Sequence, residues 1–367
     1  MTYVYESKYW PHFRYDLESL SHALGLVRNK QGKLLGYMSS LGFTMQEEAI
    51  LDTATLDVLK SSEIEGVFIN PDQVRSSVAR RLGIEVAGLI PSDRNVEGVV
   101  GMMLDATQNF NEPLTKERLF GWHLALFPMG KSGMYDIVVG KWRDDNTGPM
   151  QVVSGAMGRE RVHFQAPDAS KLEYEMETFL DWFNNADTLD PVLKSALAHF
   201  WFVTIHPFDD GNGRIARALA DMQLARADGT SQRFYSLSAQ IRIQRKGYYE
   251  ILELSSRGSL DITEWLQWYL DCLLSALVAS DETLKNVLSK AQFWQKHAQA
   301  PLNERQRLML NKLFDDLFGS LNSSKWAKMN KCSPDTALRD IQDLINKGML
   351  LKDEAGGRST NYRLKLS

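Results

Sequence analysis

Apolar residues recur at helical spacing through most of this 367-residue chain. In "PVLKSALAHFWFVTI" (191–205), Leu197, Phe200 and Val203 follow one another at the interval that places side chains on one face of a helix. Similar patterns fill "RNVEGVVGMMLDATQNF", "TKERLFGWHLALF", "KLEYEMETFLDWFNN", "GRIARALADMQLARA" and "DITEWLQWYLDCLLSAL". The chain is therefore predicted to be mainly α-helical, with two or three domains at roughly 150 residues each.

One interval departs from the helical pattern. Residues 140–167, "GKWRDDNTGPMQVVSGAMGRERVHFQAP", are rich in Gly, Val and turn-forming residues. This composition predicts a β-hairpin with short strands near "KWR" or "MQVV" and near "VHF". A small hairpin is thus expected within an otherwise helical body.

The end of the chain has a different organisation. A polar-faced helix is predicted to connect the body to "NERQRLMLNKLFDDL", "SSKWAKMN" and "SPDTALRDIQDLINKGML", which predict three helices. A hairpin around Gly356-Gly357 follows, and this order is that of a winged helix-turn-helix. The predicted division is an N-terminal helical domain (1–110), a core (111–275), a linker helix (276–303) and a winged helix (304–367).

Composition limits the class of protein. The formal net charge is −4, so nothing global points to nucleic acid or to an anionic membrane. No apolar stretch approaches the ~20 residues that span a bilayer, and the first residues do not resemble a secretory leader. The only two cysteines, Cys272 and Cys332, match no metal-binding spacing and suit a reducing compartment. A cytoplasmic protein without a membrane partner is expected.

The stretch "HFWFVTIHPFDDGNGRIARAL" (199–219) concentrates the residues that suit chemistry. Pro207 ends one helix just after His206, and a new helix is predicted to start near Arg214. Between them, Gly211 and Gly213 can adopt positive φ and expose their N–H groups. At a helix N-terminus such groups form a site for an anion such as phosphate.

Charged side chains surround this turn. Arg214 and Arg217 are three residues apart, so both can reach phosphate oxygens from one side of the helix. Asp210 is placed to hold Mg²⁺ that bridges phosphates, and His206 is placed to accept a proton. A lone His before Pro is usually structural, and Gly-Asn-Gly by itself is an ordinary turn. The residues alone leave open an ordinary turn and a phosphoryl- or nucleotidyl-transfer site.

The whole stretch resembles a known family. "HPFDDGNGRIAR" (206–217) matches the Fic motif, His-x-Phe-x-(Asp/Glu)-Gly-Asn-Gly-Arg-x-x-Arg, at every fixed position. The Gly/Val-rich interval resembles the Fic flap hairpin, and the likeness covers about residues 111–275. It implies a Fic helical bundle with a small β-hairpin flap, preceded by a helical domain like that of one Fic subgroup.

The resemblance implies a protein adenylyltransferase, which moves AMP from ATP to a Tyr, Ser or Thr hydroxyl of a target protein. His206 would be the base, Asp210 would hold Mg²⁺, and Phe208 would anchor the loop in the core. The nucleotide would be bound by Gly211, Asn212, Gly213, Arg214 and Arg217, with Arg217 at the γ-phosphate. Tyr248 and Tyr249 are either neighbours of the adenine or ordinary core residues. Relatives that transfer UMP or phosphocholine leave the transferred group open.

"SSEIEG" (61–66) resembles the Fic inhibitory pattern (Ser/Thr)-x-x-x-Glu-(Gly/Asn). A helix that ends in Glu-Gly is common, so the pattern gains meaning only from the Fic motif downstream. The resemblance implies that Glu65 pairs with Arg217 and occupies the γ-phosphate site, which restrains transfer. Some Fic proteins with this Glu are thought to remove AMP, so the direction of the reaction stays open.

The predicted winged helix raises a second function. Residues 323–367 contain nine Lys and Arg but five Asp and Glu. Thr336 and Arg339 would face outward from the recognition helix, and Arg358 and Arg363 would lie in the wing. Asp335, Asp340 and Asp343 on the same helix argue against DNA contact. A nucleotide-sensing DNA-binding regulator is therefore an alternative, and DNA contact and homodimerisation both stay open.

Overall fold

The structure is a computed structural model that describes residues 2–86, 88–146, 148–155, 159, 161–185, 189–314, 321–353 and 360–366, without the side chain of Thr283. These residues are mostly helical, as the spacing of the apolar residues predicted. Among them, no helix is both long enough and apolar enough to cross a membrane.

The described part of the chain contains fourteen α-helices. They are α1 (Leu17–Ser39), α2 (Phe43–Ile64), α3 (Pro71–Leu82), α4 (Arg94–Gln108), α5 (Lys116–Leu126), α6 (Leu172–Asn184), α7 (Pro191–Ile205), α8 (Asn212–Asp228), α9 (Leu237–Ile243), α10 (Arg245–Ser255), α11 (Thr263–Lys296), α12 (Glu304–Phe314), α13 (Ser323–Met329) and α14 (Pro334–Asn346). The strands are β1 (Lys131–Ser132), β2 (Tyr135–Asp136), β3 (Gln151–Ser154), β4 (Arg161–Gln165), β5 (Leu321–Asn322), β6 (Leu350–Lys352) and β7 (Asn361–Leu364).

Helices α7 and α8 lie at the centre of the molecule. In α7 nearly every residue after Pro191 is buried, and α8 is buried from Asn212 to Ala225 except at Gly213. Two hydrophobic cores meet at this pair, one with α3–α6 and one with α1, α10 and α11. Helix α2 contributes to both cores, through Leu51 and Val58 to the first and Ala49 and Ile64 to the second. The N-terminal helices therefore pack as part of the central bundle.

The turn between α7 and α8 follows from local sequence. Asp190 caps the start of α7 by accepting from the Val192 N–H, and Pro191 occupies the first helical position. The helix ends at His206, whose φ of 53° is left-handed, and Pro207 cannot continue it. Helix α8 begins at Asn212, two residues before the predicted start near Arg214.

Two small hairpins follow α5. Strands β3 and β4 pair antiparallel, with Gln151 opposite Gln165 and an irregularity between Val152 and Val153. This pair, the flap hairpin, confirms the predicted strands at "MQVV" and "VHF". The alternative at "KWR" is wrong, because the Arg143 backbone N–H bonds to the Pro207 carbonyl rather than to a strand. The shorter pair β1–β2 was not predicted from the sequence.

Helix α11 runs without a break from Thr263 to Lys296. It therefore passes through the predicted limit between the core (111–275) and the linker helix (276–303), and those domain limits stay a prediction. Beyond it, helices α12–α14 are followed by the antiparallel pair β6–β7, which is the predicted order of three helices and a hairpin. Strand β5, which pairs with β7, was not predicted from the sequence. Gly356, Gly357 and Arg358 of the predicted wing lie outside the described residues.

The C-terminal module (304–366) has a hydrophobic core of its own. It contains Met309, Trp326, Ile341 and Leu344, with Phe293 from the end of α11. None of these residues belongs to the two central cores. Loss of packing in the module is therefore expected to leave the central bundle intact.

Leu344→Ala should lower the free energy of unfolding of the C-terminal module by about 2–5 kcal/mol, because the Leu344 side chain is fully buried. Hydrogen exchange followed by mass spectrometry should show faster exchange in α12–α14 and unchanged exchange in α7 and α8. Leu338→Ala is the matched control, since Leu338 lies on the same helix but is 47% exposed. Equal effects of the two variants would contradict the separate core.

Candidate active site

His206 stands at the C-terminal end of α7 with its ring oriented by the backbone. Its Nδ1 lies 3.2 Å from the Val203 carbonyl oxygen, so Nδ1 carries the proton and donates it. Nε2 is then left with a free lone pair. Burial lowers the pKa of His206 to about 4, and the Arg143 guanidinium acts in the same direction. The imidazole is therefore neutral at pH 7 and able to accept a proton.

The loop after His206 is fixed by Phe208 and Asn212. Phe208 is fully buried, and its ring stacks on the His123 ring at 4.2 Å between centroids. The Asn212 amide accepts from the Phe208 N–H at 3.0 Å and donates to the Phe208 carbonyl at 2.7 Å. Its side chain thus holds the loop together, and binding of a nucleotide by Asn212 stays a prediction.

The first turn of α8 has the features of an anion site. Gly211 has a φ of 82°, and a Cβ there would lie 2.9 Å from the Phe127 ring, so this position requires glycine. No side chain caps the turn. The first N–H groups of a helix have no acceptor within it, and they carry the positive end of the helix dipole. Phosphate or carboxylate oxygens suit this position.

Arg214 and Asp210 flank the turn. The Arg214 guanidinium lies 4.9 Å from the Phe127 ring centroid, and its Nη2 is 4.0 Å from Asp210 Oδ1. The Asp210 carboxylate accepts hydrogen bonds from the Gly211 N–H at 2.5 Å and from the Ser132 hydroxyl. Its side chain is nevertheless 41% exposed. The described residues contain no cluster of three or more metal-ligating side chains. Mg²⁺ needs only one or two carboxylates beside phosphates and water, so this exposed carboxylate fits it.

Arg217 is almost completely buried, with 1% of its surface exposed. Its Nη2 lies 2.7 Å from Glu65 Oε1 and 2.8 Å from the Ser61 carbonyl oxygen, and its Nε donates to Ser61 Oγ at 2.9 Å. Burial lowers the pKa of Arg217, but the Glu65 carboxylate and Tyr248 outweigh it and leave the pKa raised. Nη1 has no hydrogen-bond partner among the described residues. Arg217 is thus a fixed buried cation.

Glu65 reaches Arg217 from the end of α2. Gly66 has a φ of 78°, and the Val67 N–H returns to the Ser62 carbonyl, which stops the helix directly after Glu65. A Cβ built at Gly213 would lie only 2.2 Å from Glu65 Oε1. The carboxylate therefore lies against the first turn of α8, at the position that suits an anion. The Glu65–Arg217 pair named from the sequence is present in the structure.

Helix α2 is also anchored to the start of α9, whose N-cap is Ser236. Asp57, two turns before Glu65, accepts from the Ser236 hydroxyl and from the Ser238 N–H at 3.3 Å. Burial and the neighbouring Asp57 raise the pKa of Asp221, which lies on α8 one turn after Arg217. Arg233 pairs with Asp221 at 2.9 Å and offsets part of the buried negative charge. Asp57 thus links α2 to α9, and Arg233 lies beside the buried Asp221 of α8.

The two tyrosines differ in position. Tyr248 is 2% exposed, and its hydroxyl lies 2.8 Å from His199 Nε2, so it belongs to the core. Tyr249 is 37% exposed, and its hydroxyl lies 3.3 Å from the Ile64 carbonyl oxygen and 3.4 Å from Glu65 Oε2. Core packing, one of the two alternatives left by the sequence, describes Tyr248. Tyr249 lies at the rim of the site, beside Glu65.

Two residues that the sequence analysis did not single out hold the loop. His123 is fully buried, and burial lowers its pKa to about 4. Its Nδ1 accepts from the Gly140 N–H at 3.3 Å, so Nε2 donates to the Asp210 carbonyl oxygen at 3.2 Å. Arg143 donates from Nε to the His206 carbonyl at 2.8 Å. Neither His123 nor Arg143 belongs to a sequence motif that would have indicated its role at this loop.

The geometry can be compared with known proteins. Residues 113–224, which include the whole loop, match the model of the Fic/DOC family. The chain carries a Fic/DOC family domain. Residues 3–84, which include Glu65, match a second model, described as a domain of unknown function (DUF4172). Glu65 and Arg217 therefore belong to different matched regions.

The relatives of the Fic domain are enzymes by name. The protein adenylyltransferases Fic of Drosophila willistoni and Drosophila melanogaster are each 38% identical to this chain over 108 residues. The match covers 29% of this chain and only 20% of the length of these relatives. The similarity to these relatives thus concerns less than a third of this chain.

Solved structures extend the likeness in fold. A Fic family protein from Desulfovibrio desulfuricans G20 covers 93% of this chain with a TM-score of 0.51 and 20% identity. A Fic domain containing signaling protein from Bacteroides thetaiotaomicron covers 71% with a TM-score of 0.52 and 22% identity. These likenesses concern the fold alone, and they agree with the fold predicted from the sequence.

The buried neutral histidines of the Fic domain should make the protein less stable in acid. Burial lowers the pKa of His199 to about 3, whereas an unfolded histidine titrates near 6.5. Between these pH values the unfolded chain binds a proton that the native chain does not, so the free energy of unfolding falls as pH falls. His199→Leu removes the group that binds this proton in the unfolded chain.

The loss of stability from pH 7 to pH 5 should therefore be about 2 kcal/mol smaller in His199→Leu than in the wild type. Urea unfolding at the two pH values measures it. His22→Leu is the control, because His22 is exposed. An equal pH dependence in wild type and His199→Leu would show that His199 is not neutral in the fold.

Proposed function

We propose that the protein is an adenylyltransferase that transfers AMP from ATP to a Tyr, Ser or Thr hydroxyl of a target protein. One observation carries the proposal. A neutral histidine with a free Nε2 stands beside an uncapped helix N-terminus that is flanked by two buried arginines. A base next to a phosphate site is what transfer of a nucleotidyl group requires. The names of the Fic relatives support the same reaction.

The reaction assigns a task to each side chain. His206 Nε2 takes the proton of the target hydroxyl as its oxygen attacks the α-phosphorus. The new oxygen–phosphorus bond forms as the bond to the β-phosphate oxygen breaks, and pyrophosphate leaves. The N–H groups at the start of α8 bind phosphate oxygens, with Arg214 at the β-phosphate and Arg217 at the γ-phosphate. Transfer of this kind depends on positioning and charge stabilisation more than on covalent catalysis.

Asp210 would hold Mg²⁺, which neutralises charge on the phosphates. Hydrogen bonds from Gly211 and Ser132 fix the direction of the carboxylate, and enough of it stays exposed to meet a metal ion. Among the described strands, β3 pairs with β4 alone, so its other edge is open to an extended segment of the target. Main-chain pairing of this kind makes little demand on the target's sequence.

We propose further that Glu65 restrains the enzyme. The carboxylate lies against Gly213 and binds Arg217, which is the group proposed for the γ-phosphate. ATP would have to displace a charge-assisted hydrogen bond that is largely shielded from water. The same carboxylate is 28% exposed, which favours a second candidate, removal of AMP by a water molecule that Glu65 orients.

DNA binding by the C-terminal module is the other alternative. Asp340 is buried and paired with Arg305, and Asp343 pairs with Lys347. The negative charges of these two acids are therefore offset within the module, and they oppose DNA contact less than the sequence alone implied. Asp335 and Arg339, which carry opposite charges, are both exposed. DNA contact stays a prediction, as does homodimerisation.

His206→Ala should reduce transfer of label from [α-³²P]ATP to protein by 10²–10⁴-fold, because the general base is lost. His22→Ala, at an exposed position, is the control. The experiment is best done in a Glu65→Gly background with cell lysate as the source of targets. Unchanged labelling in His206→Ala would exclude His206 as the base.

Glu65→Gly should raise self-labelling by an order of magnitude or more, since a small displacement of bound ATP costs ~10²-fold in rate. Glu63→Gly is the matched control: it makes the same change on the same helix, but Glu63 pairs with Lys60 rather than with Arg217. Equal rates in wild type and Glu65→Gly would remove Glu65 from the scheme. If Glu65 instead orients water, Glu65→Gly should also lose removal of AMP from a labelled target.

A further inference from the structure

Arg143 is a buried cation that the proposed reaction does not use. Its side chain has no exposed surface. Its Nε donates to the His206 carbonyl at 2.8 Å, its Nη1 to Asp145 Oδ1 at 2.7 Å and its Nη2 to the Pro167 carbonyl at 2.5 Å. Its backbone N–H also donates to the Pro207 carbonyl at 2.9 Å. One residue thus holds atoms from three separate segments of the chain.

On one side, Arg143 fixes the backbone of the catalytic loop. His206 has a φ of 53° and a ψ of 57°, a left-handed conformation that non-glycine residues rarely adopt and that costs of order 1 kcal/mol or more. Such a conformation persists where its surroundings determine it. The carbonyl groups of His206 and Pro207 are both held by Arg143. This keeps the ring where Nδ1 meets the Val203 carbonyl.

On the other side, Arg143 holds both ends of the flap hairpin. Asp145 precedes β3, and its second oxygen accepts from the Ala169 N–H at 2.6 Å. Pro167 follows β4, just after the Ala166 N–H closes the stem on the Met150 carbonyl at 3.0 Å. The chain that enters the hairpin and the chain that leaves it are therefore tied to the same guanidinium.

We infer that Arg143 is a positioning residue that sets the place of the flap hairpin relative to His206. The expected effect on the rate rests on the proposed function, because the edge of the flap hairpin would then hold the target segment that carries the hydroxyl. A displacement of about 1 Å between hydroxyl and base would then cost ~10²-fold in rate. Lysine cannot replace Arg143, because its single ammonium nitrogen cannot bond at once to the three acceptors that the three guanidinium nitrogens reach.

The kinetic test compares Arg143→Met and Arg143→Lys in the Glu65→Gly background. Both should lower kcat for AMP transfer at least tenfold and change the KM for ATP less than about twofold, because Arg143 contacts no group proposed to bind the nucleotide. Full activity of Arg143→Lys would overturn the inference, since charge alone would then suffice. So would a rise in the KM for ATP that accounts for the whole loss.

A matched control separates positioning from general stability. Arg226 is another largely buried arginine, and it donates to the carbonyl groups of Phe110, Phe183 and Glu112. It lies in the last turn of α8, about 18 Å along the helix from the first turn. Arg226→Met should lower stability but leave kcat per folded molecule unchanged. A kcat loss equal to that of Arg143→Met would reduce Arg143 to a structural residue.

A second readout needs no catalytic activity. In ¹H–¹⁵N spectra of the imidazole groups at pH 7, with His206 assigned from the His206→Ala spectrum, wild type and Arg226→Met should show one tautomer protonated at Nδ1. Arg143→Met should show averaged nitrogen shifts, because the bond to Val203 is no longer fixed. An unchanged His206 signal in Arg143→Met would overturn the inference. Absence of AMP transfer in Glu65→Gly protein would instead overturn the proposed function and leave this measurement valid.

Discussion

The pairing of Arg217 with Glu65 is the interaction on which the arrangement of the site depends. Arg217 is 1% exposed, and a buried charge without a partner costs several kcal/mol. The chain meets this requirement by bringing α2 from the N-terminal region onto the central bundle. Apolar contacts of α2 with two cores, and the hydrogen bond from Ser236 to Asp57, also hold α2 in this position. The packing of α2 on the bundle therefore also places the Glu65 carboxylate against the first turn of α8.

Much of the central architecture could be predicted because its causes are local. The apolar spacing of α7, Pro207 and the two glycines of the loop determine a helix, a sharp turn and a second helix. The family motif then named His206, Asp210, Arg214 and Arg217, and the structure brings these residues together. The bonds of the Asn212 side chain to the Phe208 backbone could not be predicted, because an amide can bond to many partners and only the folded loop shows this one.

Other features have causes that lie far apart in sequence. Arg143 and His123 act on backbone carbonyl groups, which every residue has, so no residue pattern marks their partners. The "KWR" segment looked suitable for a strand, but the buried fork of Arg143 determines its conformation. Helix α1 was not predicted as a separate element, although an N-terminal helical domain was expected. Its buried Leu20, Ala23, Val27, Leu34 and Met38 nevertheless follow helical spacing.

The unbroken course of α11 has a consequence for reach. A helix of 34 residues is about 51 Å long at 1.5 Å per residue, and it is stiff compared with a loop of the same number of residues. Lys290 on α11 pairs with Glu48, and Lys312 on α12 pairs with Asp72, so the C-terminal module is braced against α2 and α3. Glu48 pairs with Lys290, and Glu65 at the end of the same helix pairs with Arg217, so α2 connects the contact with α11 to the site.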